Sequence, residues 1–308
     1  MEGKLYYQET DWNVTSGTQD TARAKLNLAK DLSQVNRKNM HMTTAKGVPL
    51  VYHCRLTAYR NFATDAANSV MTTQVATAQS NYVTRNAAVK LHAAREAMFK
   101  NAGIKKSDRG RYDKTIRYGW SAAGDSYAFP LLSDDGGSTF YSDTGEWDES
   151  IIAIDDDTSL VPVLFGAQVN ENGAISADTF NLTNAYLNSR RKLDVDDLDP
   201  GDGAADHSII RSMFNVEDAT DDELQAIADD NQDQPPYDQD AAAGAFTSQS
   251  LSEIAFTGDW SKPSAVLEFD APFGLAEIFM AKVTDSAKNL SGATTYTIEV
   301  LGISEMQG

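Results

Sequence analysis

The chain has one cysteine and four histidines in 308 residues. Cys54 has no partner for an intrachain disulfide, and its neighbours Tyr52, Leu56 and Ala58 make it a small core residue and not a reactive thiol. His41, His53, His92 and His207 have no metal-site spacing, which excludes a zinc centre built on paired His and Cys. Also missing are a run of about 18 apolar residues, which a membrane helix needs, and an apolar signal core after Met1-Glu2-Gly3-Lys4. The expectation is a protein that enters no membrane and is kept in a cytoplasm or released by lysis. No Gly-rich phosphate loop ending in Gly-Lys-Ser/Thr occurs, no dinucleotide fingerprint follows a strand, and Gly-x-Ser-x-Gly is absent; Gly136-Gly137-Ser138 reads as a turn. The expectation is therefore not an enzyme.

Charge, by contrast, is abundant and divided along the chain. Residues 1–120 hold 19 Lys and Arg against nine Asp and Glu, while residues 121–308 hold seven against 36. Such a division suggests that one surface meets a polyanion while another stays dispersed in water, as a shell around a packaged nucleic acid would require. The acidic excess is mostly aspartate and concentrates in 194–240. The length permits one elaborated β domain or two smaller ones, and a single domain over residues 1–308 is expected.

Residues 22–28 alternate, with Arg23, Lys25 and Asn27 on one side and Ala22, Ala24, Leu26 and Leu28 on the other, the period of a half-buried strand. A stronger strand is predicted at 48–60. One helix is predicted over 85–101, with Thr84 as N-cap, Gly103 past its end, and Ala88, Leu91, Ala94, Met98 and Phe99 on its apolar stripe. From 126 onward the pattern is β, at 127–132, 151–154, 160–169, 245–256, 265–269, 275–283 and 294–303, broken by turns such as Asn172-Gly173 and Asp270-Ala271-Pro272-Phe273-Gly274. Within 194–240 a short helix is predicted at 221–229, followed by a long exposed loop. The fold class expected is mainly β, a single β-sandwich or jelly roll with strands, a basic arm and a helical insertion in 1–120 and a long acidic loop insertion at about 194–240.

The densest basic stretch holds Lys105, Lys106, Arg109, Arg111, Lys114 and Arg117, interleaved with Tyr112, Tyr118 and Trp120. Lys and Arg neutralise phosphates while aromatic rings stack on exposed bases. With Arg23, Lys25, Arg37 and Lys38 these form the candidate nucleic-acid surface; the competing reading is a solvated helix end whose aromatics fill the core. A weaker calcium candidate is Asp194, Asp196, Asp197, Asp199 and Asp202 around Pro200-Gly201, although the spacing is not that of a helix-loop-helix calcium site. Otherwise no cofactor is expected. Glu146, Asp148 and Glu149 beside Tyr141 and Trp147 offer an alternative, a carbohydrate-binding β-sandwich module or glycoside hydrolase.

Three patches carry a resemblance: Asp31-Leu32-Ser33-Gln34-Val35-Asn36-Arg37-Lys38, Asp233-Gln234-Pro235-Pro236-Tyr237-Asp238, and Ala271-Pro272-Phe273-Gly274-Leu275, with the 86–106 region as a softer fourth. In these the chain resembles the coat proteins of small single-stranded DNA viruses known mainly from aquatic metagenomes. The resemblance implies a jelly-roll capsid protein that self-assembles into an icosahedral shell around single-stranded DNA, in a virion assembled in the host cell. Its partners would be further copies of itself, the packaged DNA and, through exposed loops, a host receptor. Many such coats begin with a long Arg-rich arm, whereas Arg23, Lys25, Lys30, Arg37 and Lys38 are spread through this one's first forty residues.

Overall fold

The computed structural model describes residues 3–8, 22–60, 70–110, 114–120, 147–153, 159–165, 179–183, 185–186, 250–257, 264–282 and 294–307. In chain order the elements are β1 (Gly3–Gln8), β2 (Ala22–Asn27), α1 (Leu28–Asn36), β3 (Leu50–Arg60), β4 (Val70–Thr77), α2 (Tyr82–Asn101), β5 (Ile152–Ala153), β6 (Ser159–Val163), β7 (Thr179–Asn181), β8 (Ser250–Thr257), β9 (Ser264–Pro272), β10 (Leu275–Lys282) and β11 (Thr294–Glu305). Eight strands make two four-stranded antiparallel sheets, β1-β11-β3-β9 and β2-β10-β4-β8; β5, β6 and β7 form a small third sheet.

Alternation explains how the sheets meet. In β3, Tyr52, Cys54, Leu56 and Ala58 point one way and are buried, while His53, Arg55 and Thr57 point the other. Tyr296, Ile298 and Val300 of β11 and Phe269 and Ala271 of β9 join them, and the same buried cluster takes in Leu26, Val75 and Ile278 of the second sheet. Each large side chain removed from water here contributes about 1.5–3 kcal/mol. Cys54 is buried, and its burial pushes the thiol pKa up, as a core role requires.

The pairing follows one rule. β1 pairs with β11, β2 with β10, β3 with β9 and β4 with β8, so each pair nests within the one before. The end of β2, the start of β3, the β9–β10 corner and the end of β11 consequently share one end of the sandwich, where α1 follows β2 and α2 follows β4.

That corner is tight. Gly274 N donates to Ala271 O at 3.0 Å, with Pro272 at the second position and Phe273 at the third, where the turn demands a positive φ (60°). A non-glycine residue there is strained, and Phe273 is held by full burial, by its N–H donating to Leu50 O at 2.7 Å, and by the Tyr118 ring 4.8 Å away. Gly274, also at positive φ (71°), has the Ala29 backbone N 3.1 Å from where a Cβ would stand.

Several sequence expectations need correction. The strand over 22–28 ends at Asn27, and residues 28–36 form a helix: the Asn27 side chain accepts from Lys30 N at 2.9 Å, and Leu28, Ala29 and Leu32 are buried at helical spacing. The helix predicted over 85–101 starts at Tyr82, capped by Asn81, which accepts from Thr84 N at 2.9 Å. Its buried stripe runs through Thr84, Ala88, His92 and Arg95, while Ala94 and Met98 are exposed. Strands β1, β4 and β7 were not anticipated. The predicted strand at 127–132, the helix at 221–229 and the acidic insertion lie outside the described residues.

Candidate nucleic-acid interface

At the α1 and α2 end of the sandwich the chain gathers cations from three segments. Arg37 ends α1 in the left-handed conformation (φ 49°), and Arg37 and Lys38 are exposed beyond it. The next residues are pinned: Tyr52 Oη donates to His41 O at 2.6 Å, and His41 Nδ1 lies 3.1 Å from Thr115 Oγ1. Tyr118 N approaches Met42 Sδ at 3.1 Å. Lys38, His41 and Arg117 are thereby brought together around Thr115. Burial, then Arg117, then Lys38 hold the His41 pKa below its ordinary value, because each disfavours a further positive charge.

Arg117 is fixed in place. Its guanidinium lies 4.3 Å over the Trp147 ring, and its backbone exchanges hydrogen bonds with Ser150 at 2.9 Å. Tyr118 and Trp120, expected among the stacking aromatics, are buried core residues packed on Phe273 and Phe165. The core-filling reading is the one the structure gives for those two rings.

At the C-terminal end of α2 a groove of about 460 Å³ is lined by Glu96, Lys100, Ile104, Lys105, Lys106 and Arg109, among others. Lys105 and Lys106 are exposed. Arg109 is engaged: both terminal nitrogens donate to the Glu96 carboxylate, its side chain is 7% exposed, and its guanidinium lies 4.1 Å over the Phe99 ring. The Arg109 hydrogen bond, helped by nearby charges, holds the Glu96 carboxyl below the usual range. Lys106 shares that carboxylate at 3.7 Å. Arg37, Lys38, Lys105 and Lys114 make no ion pair among the described residues.

The remaining candidates are dispersed. Lys25 is half-buried on β2, opposite buried Glu277 of β10, and Arg23 is opposite Phe279. Arg111, the aspartates at 194–202 and Tyr141 lie outside the described residues. No group of three or more potential metal ligands occurs among the described residues, and no described helix is long and apolar enough to cross a membrane. For the carbohydrate alternative, one face of Trp147 is taken by Arg117.

The outer face of the first sheet departs from the expected separation of charges. Lys4, Glu299, Arg55 and Glu268 form one row across β1, β11, β3 and β9. Lys4 Nζ is 2.7 Å from Glu299, Arg55 donates to Glu268 at 2.8 and 3.0 Å, and Arg55 reaches Glu299 at 4.0 Å. The Lys4 hydrogen bond, with support from Arg55, holds the Glu299 carboxyl low. Cations of the first third of the sequence thus mingle with later carboxylates on this face. Sequence reasoning missed the row because it depends on cross-strand register, and it missed His41 because only the fold brings Thr115 and Arg117 beside it.

No protein family, curated protein or solved structure matches the chain.

Proposed function

We propose that this chain is a self-assembling coat subunit: a single jelly-roll β-sandwich, repeated in a closed icosahedral shell, with exposed cations of the α1–α2 end lying against packaged single-stranded DNA. The observation that carries the reading is the nested pairing of eight strands, first with last and inward to β4 with β8. A long antiparallel ribbon rolled over on itself gives that order in two sheets, and rolled double sheets of this kind build capsid and lectin domains. The resemblance in 31–38 and 271–275 favours the capsid branch, and both patches occupy structured positions, α1 with its cap and the β9–β10 corner.

The phosphate-facing role falls to Arg37, Lys38, Lys105 and Lys114, exposed cations that make no ion pair among the described residues, with Lys106 and Arg117 beside them. Contacts of this kind position a backbone without reading bases. Arg109 serves the fold by tying the segment after α2 to Glu96.

Size-exclusion chromatography with light scattering and negative-stain microscopy of the full chain test the shell. Uniform closed particles are expected; a monomer at every concentration overturns the coat reading. Reversing Lys38, Lys105, Lys106 and Lys114 to Glu is expected to keep particles while losing nuclease-protected DNA. Unchanged packaging overturns the DNA assignment alone.

A further inference from the structure

Outside that region, three side chains from three neighbouring strands form one hydrogen-bonded chain. His53 of β3 stands between Asp270 of β9, whose Oδ1 is 2.6 Å from Nδ1, and Ser304 of β11, whose Oγ is 2.8 Å from Nε2. The three are 217 and 251 residues apart in sequence and meet through strand register. Asp270 is directly opposite His53.

Ser304 reaches this face only because β11 carries an irregularity. Val300 pairs with Cys54 and Gly302 with His53, so Leu301 is an extra residue. Without it, alternation would turn Ser304 toward the core; with it, Ile303 pairs with inward-facing Tyr52 and Ser304 with Val51 on the His53 side. Gly302, opposite His53, has open space where a Cβ would stand, which clears the approach.

The order of contacts assigns roles. An ionised carboxylate only accepts, so Asp270 fixes the neutral imidazole proton on Nδ1 and leaves the Nε2 lone pair facing the Ser304 hydroxyl. Carboxylate to Nδ1 and Nε2 to hydroxyl is the connectivity of a serine nucleophile with its base, recognised by geometry and not by sequence order.

We propose that Ser304, His53 and Asp270 form an acyl-transfer site for short, neutral carboxylic esters. Ser304 Oγ attacks the ester carbonyl carbon as its proton passes to His53 Nε2; the C–O bond to the alcohol breaks, and the departing oxygen takes that proton. Water then attacks the acyl carbon as His53 Nε2 takes its proton; the bond from that carbon to Ser304 Oγ breaks, the acid leaves, and His53 returns the proton to Oγ. Asp270 is a positioning residue. A cleft of about 460 Å³ lies against His53, Glu268, Asp270 and Leu301; Arg55 neutralises Glu268, and the Asp270 carboxylate disfavours anionic acyl groups. The His53 and Asp270 side chains are 43% and 63% exposed, so the electrostatic help of a dry site is lacking and general-base assistance of about 10²-fold is expected.

The test uses the full chain with a fluorophosphonate probe, which places phosphorus on Ser304 Oγ with loss of fluoride, and with p-nitrophenyl acetate. Labelling located at Ser304, abolished by Ser304→Ala and reduced about 10²-fold by His53→Ala, is expected, with matching losses of ester hydrolysis. Circular dichroism and the thermal melt of each variant serve as the control for folding. Labelling of the native chain no greater than that of Ser304→Ala overturns the proposal. Asp270→Asn is expected to slow labelling and move the midpoint of its pH profile, and Asp270→Glu to restore part of the rate; an unmoved rate and midpoint remove Asp270 from the site. Because assembly is read separately, failure here leaves the coat reading standing, and the converse holds.

Discussion

The outer face of the first sheet and the helical end of the sandwich use cations in opposite ways. On the sheet, Lys4 and Arg55 are placed by register directly beside Glu299 and Glu268, so the row satisfies itself. At the helical end, Lys38 and Lys105 are exposed and make no ion pair among the described residues, while Arg109 is held by Glu96 and the Phe99 ring and Arg117 lies against Trp147. Charge divided along a sequence is therefore not charge divided between surfaces: pairing decides which cations remain available. The coat reading accordingly rests on strand topology, and its DNA contact on the helical end alone.

The comparison is broken most severely through the core that carries the helical end. Tyr118→Ala removes a fully buried ring packed on Phe273 and is expected to cost about 3–5 kcal/mol in chemical denaturation. Gly274→Ala places a Cβ against the Ala29 backbone at positive φ, with an expected cost of about 1–2 kcal/mol by the same measurement. In both, loss of stability should accompany loss of particles.

Smaller changes sharpen it. Lys105→Gln with Lys106→Gln is expected to leave stability unchanged and reduce the log–log salt slope of single-stranded DNA binding by about 1.4, whereas Lys4→Gln with Arg55→Gln leaves the slope as it was. DNA binding should also tighten as pH falls from neutral, since a phosphate beside Lys38 and Arg117 offsets the repulsion that keeps His41 unprotonated; His41→Gln should flatten that profile in fluorescence anisotropy.

The smallest effect concerns Glu96. Its folded pKa is depressed, so the stability it contributes is present above the unfolded value near about 4.3 and is lost as pH falls through the lower folded value. Glu96→Gln should remove that part of the acid limb in thermal melts. A limb of unchanged shape would mean that the Arg109 contact contributes nothing.

Much of the sandwich was legible in the sequence because β3, β9, β10 and β11 announce themselves by alternation and bounding turns. β4 did not, since Val70-Met71-Thr72-Thr73-Gln74-Val75-Ala76-Thr77 lacks contrast: Thr73, Thr77 and Ala76 are all buried. α2 was placed but turned on its axis, because its inward stripe includes His92 and Arg95, residues that a hydrophobic pattern assigns to water. Individual cations were legible; whether each met a carboxylate was not, because Arg109 and Glu96 are 13 residues apart and Arg55 and Glu268 are 213 apart. The Ser304–His53–Asp270 alignment was beyond reach for the same reason, since it turns on one extra residue, Leu301.

The position of β11 between β1 and β3 governs when the molecule can be completed. It is the latest of the described strands to leave the ribosome, yet two earlier strands need it as their neighbour. Until then β3 keeps an open edge, the kind of template on which nascent chains cross-pair and aggregate. Chains halted before residue 294 should therefore aggregate unless a chaperone covers that edge.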